Sequence, residues 1–273
     1  SMLWVSGRLH GKSYHPSSRK TIQESRLYPL IPRVSRGFLV TSIPELILNS
    51  VCPLRRSLLG TENDKALSII EEYYPLITHS FKSGENVLDW TVPKEWRLGR
   101  ATLTSERGEL ICDSDRSILE VVNYCEPYVG TLSFDDLKKH LHFSTTLPYS
   151  VPYRTSYYNR SWGFCLSKSS YDNLDRSSLY RVDIDTEFVD GLMNIGELRI
   201  EGKSKKEIIL TSYLCHPEQA HDGLSGVICL LDLYDKLKDL DNLYTYRFFF
   251  IPETIGSICL LSRGTINPSK VEF

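Results

Sequence analysis

The chain has 273 residues, of which 41% are hydrophobic and 24% charged. That length fits one large domain, or one domain carrying an insert. No uncharged apolar run approaches the roughly 18 residues a membrane helix needs. A net charge of −2 gives no general attraction to nucleic acid or anionic lipid.

The charge is unevenly placed. Residues 1–50 carry seven Lys or Arg and two acids, Glu24 and Glu45, whereas the remainder is net acidic. Segment 1–43 is also Ser-rich, a composition shared by transit peptides and by disordered tails. Seven cysteines are scattered from Cys52 to Cys259 without any C-x-x-C. Such thiols fit a reducing compartment, so a cytoplasmic protein is expected, or an organellar one if 1–43 is a transit peptide.

Order is expected from residue 44. Pro44 to Leu48 reads as a short helix, and Thr61 to Tyr74 as a longer one with Thr61 as its N-cap. Ala66, Leu67, Ile69, Ile70, Tyr73 and Tyr74 supply the helical apolar period, and Pro75 stops it. Ile77 to Lys82 reads as a strand, closing a first segment at 44–87. Residues 88–180 change character to short alternating runs, turn formers and dense aromatics, including Trp90, Trp96, Tyr153, Tyr157 and Trp162. This block is expected to be an inserted β-rich domain, interrupted by one helix, Ser133 to Leu141, capped by Ser133.

From 181 to the end the pattern is α/β. Leu179–Ile184 and Gly196–Ile200 are strand candidates. Glu207–Tyr213 reads as a strand buried on both faces. Ser225–Lys236 is a helix, Tyr246–Ile251 a second buried strand, and Thr254–Leu261 the start of another helix. Strand–helix–strand order with short links predicts a mainly parallel sheet with flanking helices.

Two clusters in this part carry potential chemistry. Cys215-His216-Pro217-Glu218 leads through His221-Asp222-Gly223-Leu224-Ser225-Gly226 from a strand into a helix. Imidazole and carboxylate are ordinary zinc ligands, but a strand-capping His and a helix-capping Asp explain the same residues. Glu253 likewise follows a strand and opens a helix, where the dipole alone favours a carboxylate. Two strands of one sheet would bring His216, Asp222 and Glu253 to one edge, where open α/β folds place their sites. Cys215 beside His216 suggests a nucleophile, but adjacent residues on a strand point to opposite faces. Ser225 lacks the G-x-S-x-G elbow.

These words resemble the co-catalytic zinc aminopeptidases. The resemblance is nearer to the aminopeptidase-like proteins associated with bacterial polysaccharide biosynthesis, which carry a domain of unknown function. It rests on Asp89–Trp96, Pro152–Tyr158, Trp162–Leu166, Cys215-His216-Pro217, the turn Asp222–Gly226 and Phe250–Ser257, and it covers about residue 52 onward. It implies a zinc-aminopeptidase-like fold with His216 as a terminal zinc ligand and Asp222 as the bridging one. Glu253 stands where the family has a Glu pair, as general base or as ligand. Glu218 replaces the Asp that orients the first His and would act from behind it. The family's later ligands, an Asp and a His, have no counterpart before Phe273, so the sheet is expected to be incomplete. At most one zinc is then expected, with Phe248–Phe250 or a strand edge left uncovered. His10, His15, His79, His140 and His142 all precede the site in sequence.

The resemblance thus implies a metallopeptidase of reduced or no activity acting on a peptide or amide substrate. The competing expectation is a non-catalytic binding protein in glycan or polysaccharide assembly. No nucleic-acid or membrane partner is expected; self-association and the substrate-binding residues stay open.

Overall fold

The computed structural model describes residues 42–272. The basic segment 1–43, apart from its last two residues, lies outside the described residues. Helices α1 (Ile43–Val51) and α2 (Thr61–Glu71) lead to strand β1 (Ile77–Lys82). The short strands β2 (Asn86–Val87) and β3 (Trp90–Thr91) precede β4 (Glu95–Ser105), β5 (Leu110–Asp113) and β6 (Tyr128–Ser133). Then come α3 (Phe134–Leu137), β7 (Leu141–His142), β8 (Phe164–Cys165), α4 (Lys168–Asp172) and the long β9 (Leu179–Val189). The chain continues through β10 (Leu192–Ile200), β11 (Glu207–Tyr213), α5 (Ser225–Leu237), β12 (Thr245–Ile251) and α6 (Ile255–Ser262).

The architecture is α/β, with the first four-stranded sheet ordered β1-β10-β12-β11. Its pairing is mixed rather than mainly parallel. β11 and β12 are parallel, as their α5 crossover requires, whereas β1–β10 and β10–β12 are antiparallel. β1 and β10 are joined through the β-rich block and not through a crossover helix, which frees β10 to run back along β1. A second four-stranded sheet, β5-β4-β9-β6, is antiparallel throughout. The segment read as 88–180 holds most of it, and its last strand runs on to Val189.

Each face of the first sheet has its own core. Leu198, Phe248 and Phe250 pack with Ala66, Ile70, Val227 and Leu231 of the helices. Met193, Ile195, Phe249 and Ile251 pack instead with Trp96, Leu103, Val182 and Ile184 of the second sheet and with Ile255 and Cys259 of α6. Phe248, Phe249 and Phe250 are each 0% exposed, so the uncovered strand expected there is not found. Among the described residues the sheet ends on β1 and β11, and β11 is covered at Glu207 by a bridge to Val271. Thr211 and Tyr213 are exposed, and β11 is not buried on both faces.

Local corrections have local causes. The N-cap of α2 is Gly60, at φ 123°, and not Thr61. The Asn63 side chain bonds both the main-chain N–H and the carbonyl of Ser57, which pins the chain entering the helix. α2 also ends before Tyr74, whose hydroxyl donates to Asp235 at 2.8 Å. The Ser133 cap is present and accepts from Asp136 N, but the helix it starts is a single turn.

Candidate functional site at the carboxyl edge of the sheet

Parallel neighbours release their chains at the same edge. Pairing of β11 with β12 continues one step past the strands, through the Leu214 N–H donating to Ile251 O at 2.9 Å. His216 and Glu253 therefore emerge side by side, with His216 Nε2 3.4 Å from Glu253 Oε2. No hydrogen bond joins them. The separation matches the ~3.3–3.4 Å between two ligands that bind a tetrahedral zinc at about 2.0–2.1 Å. His216 is 6% exposed, while the Glu253 side chain is 42% exposed. One partner is thus fixed in the protein and the other faces solvent.

The backbone around the pair is forced. Thr254 sits at φ 63°, ψ −67°, and the Ile255 N–H donates to Glu253 O at 2.7 Å. Together these make a γ-turn of the rare, strained hand. Gly223 has φ 96°, and an added Cβ would lie 2.8 Å from Tyr213 O, so only glycine fits after Asp222. Strain of this kind persists only where surrounding structure imposes it, and it clusters at functional sites.

The other expected site residues fall differently. Asp222 is exposed on the loop before α5, and its charge acts on His216 without forming a third contact with the pair. Glu218 does not orient His216. At φ 52° its carboxylate turns to the β-rich block and accepts from Ser117 Oγ and the Ile118 N–H. The group beside His216 Nδ1 is Cys215 Sγ, at 3.2 Å. The alternation expected to separate these two side chains stops with β11 at Tyr213. Cys215 is 0% exposed, and burial pushes its thiol up to about 12. It stays protonated at neutral pH, which removes it as a nucleophile.

Three further neighbours carry no site signal of their own in the sequence. Arg56 is 0% exposed, donates through Nη2 to His216 O, and leaves Nε and Nη1 without partners. Desolvation lowers it to about 10. Tyr153, from the β-rich block, has its ring 5.1 Å from that of His216, and Tyr213 stacks at 6.0 Å. Tyr153 stands in the sequence only as one of the aromatics of the β-rich block and within the Pro152–Tyr158 word. Burial lowers the pKa of His216, opposed by Asp222 and Glu253. A neutral imidazole able to act as a ligand results.

Fit to a metal is therefore partial. His216 and Glu253 suit two corners of a zinc tetrahedron, but among the described residues no cluster of three donors forms. His140 stacks on Trp162 at 3.7 Å, and His79 pairs with Glu197, so neither joins. A cavity of about 600 Å³ lies elsewhere, on the β-rich block, lined by Arg107, Glu109, Arg116, Asn173, Asp175 and Tyr180.

Comparison with known proteins bears on the family and the fold. Residues 45–273 match the domain of unknown function DUF4910. A Clostridium acetobutylicum protein, named as a candidate polysaccharide biosynthesis protein with an aminopeptidase-like domain, is 41% identical over 80% of this chain and 50% of its own length. A crystal structure of a candidate peptidase from the same organism is 39% identical at TM-score 0.76, over 84% of this chain and 54% of that one. The chain thus spans about half the length of these relatives. A Bacillus subtilis zinc aminopeptidase matches at TM-score 0.53 and 13% identity, over 80% of this chain and 62% of that one. A Shewanella amazonensis M28 peptidase precursor matches at 0.56 and 10%, over 84% and 69%. At those identities the likeness is one of fold. The chain belongs to the DUF4910 family and has the aminopeptidase-like fold.

Proposed function

We propose that the chain contributes the His216, Asp222 and Glu253 edge to the zinc site of an aminopeptidase-type hydrolase acting on a peptide or amide. The observation that carries this reading is the 3.4 Å approach of His216 Nε2 to Glu253 Oε2, at the ends of two parallel strands. Zinc, when bound, is a Lewis acid toward a scissile carbonyl. His216 and Glu253 would hold it, with Glu253 as ligand, and Asp222 would be the third donor this reading adds. Tyr153 and Tyr213 flank the imidazole and limit water on that side.

Among the described residues no helix is long and apolar enough to cross a membrane. A cytoplasmic location belongs to this reading, because seven cysteines stand unpaired. The test is release of the leaving amine from aminoacyl anilides by the zinc-loaded protein, compared with His216→Ala. Turnover lost in the variant supports the reading. Zinc binding without turnover favours an accessory role in polysaccharide assembly. The polar cavity of about 600 Å³, apart from His216, is the observation behind that second reading.

A further inference from the structure

Cys215 Sγ contacts both site loops. It lies 3.2 Å from His216 Nδ1 on the loop after β11, and it accepts the Glu253 main-chain N–H, also at 3.2 Å, from the loop after β12. The residue is completely buried. The acid expected to steady the imidazole, Glu218, is engaged with Ser117 and Ile118. Of the two ring nitrogens of His216, Nδ1 has a hydrogen-bond partner, whereas Nε2 faces Glu253 without one. A proton on Nδ1 has the sulfur as its acceptor at 3.2 Å, whereas a proton on Nε2 has only the Glu253 carboxylate, 3.4 Å away and outside hydrogen-bond geometry. A ligating His ordinarily gives its other N–H to a carboxylate or a carbonyl. In this site a sulfur occupies that position.

We propose that Cys215 is a positioning residue: its sulfur accepts the Nδ1–H of His216 and the N–H of Glu253, holding the imidazole with the Nε2 lone pair toward Glu253. The purpose assigned to this arrangement rests on the reading of His216 and Glu253 as a cation-binding pair. The arrangement itself is testable without metal or substrate.

The experiment is nitrogen-15 NMR of the histidine rings in the metal-free chain, at a pH where the imidazoles are neutral. The His216 signal is identified by its loss in His216→Gln. The proton is expected on Nδ1 in the wild type and in Cys215→Ser, which keeps an acceptor. In Cys215→Ala the ratio of tautomers is expected to fall about five-fold or more, the size of one neutral hydrogen bond. A proton on Nε2 in the wild type overturns the proposal, as does an unchanged ratio in Cys215→Ala. If Cys215→Ala does not fold, the wild-type tautomer decides alone. Absence of peptidase turnover would remove the proposed function and leave this result standing.

Discussion

The two ends of the β11–β12 pair treat the same side-chain chemistry in opposite ways. At the amino end, Arg247 on β12 bonds Glu197 through two nitrogens, at 2.6 and 2.9 Å, and Glu207 at 3.0 Å. His79 adds a 2.7 Å contact to Glu197. The three charged groups of this ladder are nearly dry, and the polar atoms around Arg247 are used up. At the carboxyl end, His216 and Glu253 face each other without a hydrogen bond, and Arg56 keeps two idle donors. A closed network holds strands together. An open pair in a strained frame does not.

The sharpest way to break the comparison is to remove one charge from each end. Arg247→Leu leaves Glu207 without its cation and Glu197 with His79 alone, and is expected to cost about 3–5 kcal/mol of unfolding free energy. Arg56→Leu, which strands no carboxylate, is expected to cost about 1 kcal/mol or less. Urea titration measures both, and equal losses would abolish the distinction. Gly223→Ala comes next, because the new Cβ meets Tyr213 O in a positive-φ turn. A loss of about 1–3 kcal/mol is expected by the same titration.

Acid separates the two ends further. Burial works to raise the Glu197 carboxyl, but hydrogen bonds from His79 and Arg247 outweigh it and bring the group down to about 2. A depressed folded pKa gives stability that is present above the unfolded value near 4.5 and is lost as pH falls toward 2. Wild-type stability is expected to drop through that window, and Glu197→Gln, already weaker at neutral pH, is expected to drop less. The smallest expected effect is at the site itself. Thr254→Gly relieves the strained turn and is expected to add up to about 1 kcal/mol of stability, read as a rise in thermal midpoint.

Much of the fold was legible because it is periodic. β1 and β11 have the ends read for them in the sequence, although β11 is not the doubly buried strand its apolar run suggested, and α5 is one residue longer than its apolar stripe suggests. The edge bearing His216 and Glu253 was legible because two strand-to-helix junctions carry it. What escaped depends on contacts distant in sequence or on a break in periodicity. Arg56 meets His216 across 160 positions, which no local pattern records. Cys215 touches His216 because the strand has already ended. Glu218 is drawn off by Ser117, about 100 residues earlier and on the other sheet's side.

The central claim is that His216 and Glu253 form a cation-holding pair. Equilibrium dialysis against zinc, with metal content read by elemental analysis, tests it most directly when run on the wild type, His216→Ala and Glu253→Gln. The account expects one zinc per chain in the wild type and its loss in both variants. Zinc retained in both variants, or absent from the folded wild type at millimolar metal, would contradict it.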